Sequence, residues 1–169
     1  LIKAESLPPA DVVDGQQRLT TLTILLAAIR ANLPADGARD VTSLLYEKGN
    51  AIKGTQDRFR LQLRERDRDF FQRYVQREDG FQDLLELKPE TDSQKNIKEN
   101  AELLNDRVLE LTEKQRLDLA QFIVTRCYLV VVATPDLDAA YRIFSVLNSR
   151  GLDLTPTDIL KADVIGAIP

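Results

Sequence analysis

The sequence predicts an α+β fold that is rich in helix and has a small mixed sheet. From Leu19 onwards, apolar residues recur at the three- and four-residue spacing of one helical face. RFRLQLRER, residues 58–66, instead alternates apolar and polar residues, as a half-exposed strand does. YLVVVAT, residues 128–134, is rich in β-branched residues and predicts a buried strand.

The N-terminal part predicts a short strand followed by a long helix. We interpret Val12 and Val13 as the short buried strand. The helix is predicted from Leu19, with Thr20 or Thr21 as its N-terminal cap. The sequence PADG then ends this helix, because proline and glycine both disfavour helix interiors.

Four helices are predicted in the middle of the chain. A short helix covers VTSLLYEKG, residues 41–49, and another covers DRDFFQRYVQRE, residues 67–78. Two longer helices span about residues 95–111 and 113–127, and Thr112 is placed to cap the second of them.

The C-terminal part predicts a helix, a short loop and a last helix. The first of these helices covers about residues 137–149, and Gly151 fits its C-terminal cap. Thr155 fits the cap of the last helix, which begins at Pro156, and Asp158 fits the reciprocal position of a capping box.

The composition excludes several kinds of catalytic site. The 169 residues contain no histidine, so they cannot build a Ser-His-Asp triad, an HNH-type nuclease centre or the usual zinc sites. Any chemistry must rely on carboxylates, amides, arginine, lysine or a metal held by oxygen. The net charge of −4 argues against a surface that is basic throughout. The chain also contains no methionine, from which we expect it to be a piece of a longer protein.

The single cysteine and the apolar runs indicate the compartment. Cys127 lies in an apolar run, so we expect its thiol to be buried and unreactive. One cysteine forms no disulfide within the chain, which suits a reducing compartment such as the cytoplasm. No apolar run approaches the roughly 18 residues of a membrane span, so we expect no membrane partner.

A polar sequence stands at the junction between the first predicted strand and the first long helix. Its residues are Asp14, Gly15, Gln16, Gln17 and Arg18. A helix N-terminus carries unpaired N–H groups and a partial positive charge, and a glycine before it lets a ligand approach the backbone. Such a junction favours anion binding, and an arginine adds a cationic fork that suits phosphate. The alternative, a plain turn in which the arginine pairs with the aspartate, stays open.

A second polar junction lies in IFSVLNSRGLDLTPTDILKAD, residues 143–163. A helix end needs a glycine cap, but it does not need Asn148 and Arg150 beside that glycine. Lys161 follows Asp158 by three residues and lies on the same side of the last helix. The alternatives are a purely structural capping role for Asp158 and a solvated surface position for Lys161.

Together, VVDGQQRLTTL and FSVLNSRGLDLTPTDILKAD resemble the N-terminal domain family of GmrSD-type restriction systems, a branch of the ParB/sulfiredoxin-like fold. The resemblance covers about residues 1–165 and implies a single domain over residues 1–169. In that domain, about residues 1–35 and 128–169 carry the two junctions around a ParB/sulfiredoxin-like core. About residues 40–127 form a helical insert.

The resemblance implies nucleotide binding and NTP hydrolysis that are coupled to cleavage of modified DNA. The nucleotide-binding candidates that the resemblance implies are Gly15, Gln16, Gln17, Arg18, Asn148, Arg150 and Lys161. It makes Asp14 and Asp158 the catalytic candidates, which would hold Mg²⁺ or orient the attacking water. The implied partners are a nucleoside triphosphate, modified DNA, an HNH-like nuclease domain or subunit, and a second copy of the chain.

The chain departs from the family pattern in two places. The family's Ile-Pro-x-x-Gln-Arg segment is absent from the sequence, and if that segment contributes to the pocket we expect the site here to be incomplete. After Lys161, where members often carry Asn, this chain has Ala162 and Asp163.

An arginine-rich segment spans residues 58–77. It holds seven arginines against three acids, an excess of four positive charges within a chain of net charge −4. Its candidate DNA contacts are Arg60, Arg64, Arg66 and Arg68, because such charge releases counterions from DNA and the interleaved aromatic residues could stack on bases. The alternative is that the aromatic residues belong to the core and the acids pair locally with the arginines.

Two functions of other classes remain open beside the nucleotide-dependent one. The chain could be a non-catalytic module that binds DNA or a partner protein. It could also be a ParB-like nuclease that cuts DNA with an oxygen-ligated metal, which would require the carboxylates of the two junctions to converge.

Overall fold

The computed structural model describes residues 11–12, 14–128, 131, 134–136, 139 and 142–143. The chain divides into two compact units, one formed by Leu1–Gln16 with Tyr128–Pro169 and the other by Gln17–Cys127. The predicted α-rich fold with a small sheet is confirmed. Its elements are α1 (Gln16–Ala31), α2 (Ala35–Leu45), β1 (Tyr46–Glu47), a 3₁₀-helix (Ala51–Lys53), β2 (Arg58–Phe59), α3 (Glu65–Phe71), a π-helix (Gln72–Gln76), α4 (Gly80–Glu86), α5 (Asp92–Leu109) and α6 (Glu113–Arg126).

Helix α1 begins at Gln16, three residues earlier than predicted. The reason is Gly15, whose positive φ of 87° takes the chain out of the extended region immediately before the helix. Thr20 and Thr21 therefore lie inside α1, and their predicted capping role is wrong. Val12 carries no strand, so the predicted strand is wrong at that residue.

The sequence PADG starts the next helix instead of only ending the previous one. Pro34 occupies the position before the first residue of α2, where its missing N–H causes no loss. The predicted helix over residues 41–49 therefore starts too late, and it also ends too late. The helix stops at Leu45 because Tyr46 leaves the helical conformation to join the sheet.

The small sheet is a two-stranded antiparallel ribbon, with Tyr46 opposite Phe59 and Glu47 opposite Arg58. The strand predicted over residues 58–66 is thus only two residues long, because β1 offers no longer partner. The alternation still describes burial correctly, since the apolar residues at positions 59, 61 and 63 pack against the core and the polar residues between them are exposed.

The helix predicted over residues 67–78 begins two residues earlier and changes type along its length. Helix α3 runs into the π-helix, and α4 follows after a short turn. At Gly80, the first residue of α4, an added Cβ would lie 1.9 Å from the carbonyl oxygen of Arg73. Only glycine permits this close approach between α4 and the π-helix.

Arg30, in the last turn of α1, holds the end of the π-helix. Its side chain is buried, and its guanidinium donates hydrogen bonds to the carbonyl oxygens of Gln76 at 2.5 Å, Arg77 at 2.6 Å and Val75 at 3.0 Å. Helix ends leave such carbonyls without partners within the helix. Burial lowers the pKa of Arg30 to about 10, against the opposing effect of nearby Tyr46, Glu78 and Asp79.

Helices α5 and α6 lie close to their predicted positions. The capping box of α6 is confirmed, since Thr112 accepts from the N–H of Gln115 and the Gln115 side chain accepts from the N–H of Thr112. Arg116 then joins three helices by donating to the carbonyl oxygens of Asn32 at 2.7 Å, Val108 at 3.0 Å and, more weakly, Leu109 at 3.3 Å.

The expectation of a buried Cys127 is wrong, because this residue is exposed. It follows the last residue of α6, a helix that buries only Ala120 fully, so the chain has already left the packed face. Tyr128 and Val131 are also exposed and lie outside any strand, which contradicts the predicted buried strand at these two positions. The strand's other residues, apart from Thr134, lie outside the described part.

In the C-terminal part, the described residues Ala139, Arg142 and Ile143 are helical, as predicted. The predicted caps at Gly151, Thr155, Pro156 and Asp158 lie outside the described residues.

The core of Gln17–Cys127 is built around the C-terminal half of α1. Its fully buried apolar side chains include Ile24, Ala27, Ala28, Ile29, Leu45, Phe71, Val75, Phe81, Leu84, Ala101 and Val108. No helix in the described part combines the length and the apolar composition that a membrane crossing needs.

Candidate functional site

The first polar junction forms the start of α1. Asp14 lies in a bend, Gly15 has a left-handed backbone, and Gln16, Gln17 and Arg18 make up the first turn of the helix. A residue with a Cβ at the position of Gly15 would be strained by roughly 1–2 kcal/mol. The glycine is therefore required by the backbone at this junction.

The first turn of α1 has the electrostatic character of an anion site. An α-helix leaves its first four N–H groups without partners inside the helix, and its N-terminus carries about half a positive charge. The first turn contains no aspartate or glutamate that would neutralise this end. Arg18 adds a full positive charge on an exposed side chain.

The polar side chains of the junction face solvent. Asp14, Gln16, Gln17 and Arg18 are all exposed. The amide of Gln16 donates to the carbonyl oxygen of Val12 at 2.6 Å, which fixes the chain just before the bend. Asp14 and Arg18 also take part in interactions within the protein, so a ligand would join or displace these contacts.

The second polar junction is not available for comparison with the first. Asn148, Arg150, Asp158 and Lys161 all lie outside the described residues. Their convergence with the start of α1 stays a prediction.

Asp14 is the one described member of the predicted metal pair. Among the residues that the structure describes, no three aspartate, glutamate or cysteine side chains gather as a metal site. Magnesium, however, is commonly held by one or two carboxylates together with substrate phosphates. Asp14 supplies one exposed carboxylate just before the start of α1, and the phosphates in such a mode of binding would come from a ligand.

The arginines of residues 58–77, here called the arginine surface, are all exposed. Three of them pair with acids: Arg60 with Glu47 at 2.9 Å, Arg66 with Asp67 at 3.2 Å and Arg77 with Asp57 at 3.2 Å. Within the described part, no ion pair involves the other four, which are Arg58, Arg64, Arg68 and Arg73. The local pairing expected as an alternative, with the acids of residues 58–77, is thus present in the described part only at Arg66, because Glu47 and Asp57 lie outside that segment.

The aromatic residues of the same segment belong mainly to the core. Phe71 is fully buried, and Phe59, Phe70 and Tyr74 pack against the core from its edge. Phe70 and Tyr74 contact each other with their ring centroids 4.9 Å apart. This arrangement agrees with the structural alternative and leaves these rings little freedom to stack on bases.

A groove of about 510 Å³ lies between the sheet and the π-helix, and it was not predicted from the sequence. Its lining residues are Gln56, Asp57, Phe59, Gln62, Gln72 and Arg77. They come from β2, the loops on either side of it, and both ends of the π-helix. The only local signal was the high density of glutamine in this segment.

A family model described as "GmrSD restriction endonuclease, N-terminal domain" matches residues 3–165. The matched range includes both polar junctions and all of the helical region between them. No curated protein matches the chain, and no solved structure does.

Proposed function

The chain belongs to the family of GmrSD restriction endonuclease N-terminal domains, and from this premise we propose that it is the nucleotide-binding, NTP-hydrolysing regulatory module of a restriction system that acts on modified DNA. The observation that carries the proposal is the start of α1. There, a glycine that the backbone requires, the partial positive charge of a helix N-terminus and an exposed arginine meet at one helix end.

The residues of this junction have complementary roles toward a triphosphate. Gly15 leaves room for phosphate oxygens near the backbone, and the N–H groups of the first turn donate to them. Gln17 contributes an amide, and Arg18 neutralises charge with its guanidinium fork. Asn148, Arg150 and Lys161 of the second junction complete the phosphate contacts in this proposal.

The hydrolytic step is assigned to the two aspartates. Asp14 and Asp158 orient the attacking water and hold Mg²⁺ together with the phosphates. The metal ion supplies neutralisation of the phosphate charge. DNA cleavage itself would belong to an HNH-like nuclease domain or subunit, because a histidine-dependent centre cannot be built from these 169 residues.

A calorimetric titration with GTP, ATP and UTP in the presence of Mg²⁺ tests the proposal. The wild type is expected to bind at least one of them, and Arg18→Ala to weaken that binding at least about tenfold, since a lost charged hydrogen bond is worth roughly 1.5–3 kcal/mol. Arg39→Ala is the control, because Arg39 is an exposed arginine of α2. Equal affinity of the wild type and Arg18→Ala, or no binding by the wild type, would refute the nucleotide site.

A second function, DNA contact by the arginine surface, is favoured by its four arginines without acid partners. Arg64 is the residue immediately before α3 and Arg68 lies one turn into that helix, so two cations without acid partners in the described part stand near its N-terminal end. We expect Arg64→Gln with Arg68→Gln to weaken duplex binding and to lower the dependence of log K on log salt concentration by about 2. An unchanged salt slope would show that these arginines do not touch phosphates.

A further inference from the structure

We propose that the groove between the sheet and the π-helix binds a single unpaired nucleobase, stacked on the guanidinium plane of Arg77. The inference rests on the nucleic-acid contact proposed above for the arginine surface and is independent of the nucleotide site at α1. It assigns a ligand to side chains outside both polar junctions.

Arg77 presents a fixed, flat surface to the groove. Its guanidinium lies over the ring of Phe59 at 5.8 Å from the centroid, and its Nη2 is 3.2 Å from Oδ2 of Asp57. The side chain is nevertheless 57% exposed. One face of the guanidinium is thus backed by an aromatic ring while the group stays accessible, and arginine planes of this kind stack on unpaired bases in nucleic-acid complexes.

Asp57 is itself held in position by the backbone. Its Oδ1 accepts a hydrogen bond from the N–H of Gly49 at 2.9 Å, while its Oδ2 pairs with Arg77. The two chain segments meet closely here, since a Cβ on Gly49 would lie 2.5 Å from the carbonyl oxygen of Thr55. Asp57 is a positioning residue that orients Arg77 before any ligand arrives.

Three amides supply the groups that read the edge of a base. Gln56, Gln62 and Gln72 line the groove, and none of their side chains has a hydrogen-bond partner within the described part of the protein. Each amide offers both donors and an acceptor, as the edge of a nucleobase requires. The lining carries one negative and one positive charge, so it suits an uncharged ligand, and about 510 Å³ falls within the roughly 300–1,000 Å³ of small-molecule sites.

The surroundings of the groove favour nucleic acid over a peptide. Arg68 lies four residues before Gln72 and Arg64 four residues before Arg68, so two exposed cations without acid partners run along the helix toward the groove. Arg58 adjoins Phe59 on the other side. A base in the groove would therefore have its flanking phosphates near positive charge, which a peptide backbone does not need.

The test measures fluorescence anisotropy of the full chain with two labelled duplexes that differ by one unpaired, bulged nucleotide. The wild type is expected to bind the bulged duplex about tenfold more tightly than the fully paired duplex. Arg77→Lys is expected to abolish this preference, since lysine keeps the charge and loses the plane. Gln56→Ala with Gln62→Ala is expected to reduce the preference by several-fold, because both side chains are exposed and make no hydrogen bond to other described residues.

Arg73→Lys is the matched control. Arg73 is an exposed arginine of the same helical segment whose guanidinium lies over the ring of Tyr74 at 5.1 Å, outside the groove. It should keep the preference for the bulged duplex. Equal binding of both duplexes by the wild type would overturn the groove and leave the arginine surface standing. Binding of neither duplex would overturn both, and a preference retained in Arg77→Lys would overturn the stacking role.

Discussion

The clearest stability prediction concerns Arg30, whose buried guanidinium holds three carbonyl oxygens at the end of the π-helix. Arg30→Met keeps much of the buried aliphatic volume and removes the three hydrogen bonds. Hydrogen bonds from a charged donor contribute roughly 1.5–3 kcal/mol each, or roughly 4.5–9 kcal/mol for three. The mutation should therefore destabilise the fold, even after the desolvation of the charge is subtracted.

The free-energy cost of that desolvation follows from the pKa of Arg30, which burial lowers from the ordinary arginine value to about 10. At 1.36 kcal/mol per pKa unit, the environment disfavours the charged form by about 3 kcal/mol. The expected net loss of unfolding free energy for Arg30→Met is then about 1–6 kcal/mol. The sign is clear because the hydrogen bonds outweigh the penalty throughout this range.

Urea unfolding followed by circular dichroism measures this loss as a lower urea concentration at the midpoint of the transition. The slope of the free energy of unfolding against urea concentration should stay unchanged. Arg107→Met is the control, because Arg107 is exposed on α5 and only pairs with Glu110 at 3.4 Å; an exposed pair contributes at most about 1 kcal/mol. A loss below about 1 kcal/mol for Arg30→Met, with an unchanged slope, would refute the view that these hydrogen bonds stabilise the fold.

Two further predictions follow from close packing and burial. Gly80→Ala should lower the free energy of unfolding by more than about 3 kcal/mol in urea unfolding, because the added Cβ would lie 1.9 Å from the backbone of Arg73. Gly37→Ala is the control and should change it by less than about 1 kcal/mol, since its Cβ meets a movable side chain at 3.1 Å. Equal effects of the two substitutions would contradict the backbone clash. Burial raises the pKa of Tyr46 above 10, so its stabilising contribution is complete below pH 10 and is lost as the pH rises through the folded-state pKa. The phenolate absorbance that Tyr46→Phe removes should accordingly titrate above the ordinary tyrosine pKa of about 10, and titration at that ordinary value would contradict the burial of Tyr46.

The elements that sequence predicts well are those specified locally. Helix α6 starts where its capping box requires, because Thr112 and Gln115 bond to each other within one turn. The apolar spacing places the start of α1 too late, because it marks the residues of the buried face and not those of the first turn. The true start is specified by Gly15, whose positive φ of 87° precedes the first helical residue, whereas the sequence alone indicates only that a glycine at this position lets a ligand approach the backbone.

The elements that sequence predicts poorly depend on distant partners. The alternation in residues 58–66 indicates which side chains are buried, but the length of β2 is limited by β1, thirteen residues earlier at Tyr46 opposite Phe59. The groove is likewise not predictable from the sequence, because it depends on distant partners. Asp57 and Arg77 are twenty residues apart and come into contact only in the folded chain. At the candidate nucleotide site, the residue types and the presence of a helix after them were predictable, but the first residue of that helix was not. The contacts of the second junction lie outside the described residues.

Helix α1 also sets a mechanical relation between its two ends. Its 16 residues make a stiff rod of roughly 24 Å, with Arg18 in the first turn and Arg30 in the last. The guanidinium of Arg30 donates a hydrogen bond to the carbonyl oxygen of Arg77. A tilt or rotation of α1 that began at Arg18 would therefore displace the chain segment that carries the Arg77 side chain. The number of residues between the two arginines is therefore fixed by helical phase: one inserted residue would turn Arg30 by about 100° away from the carbonyls it holds.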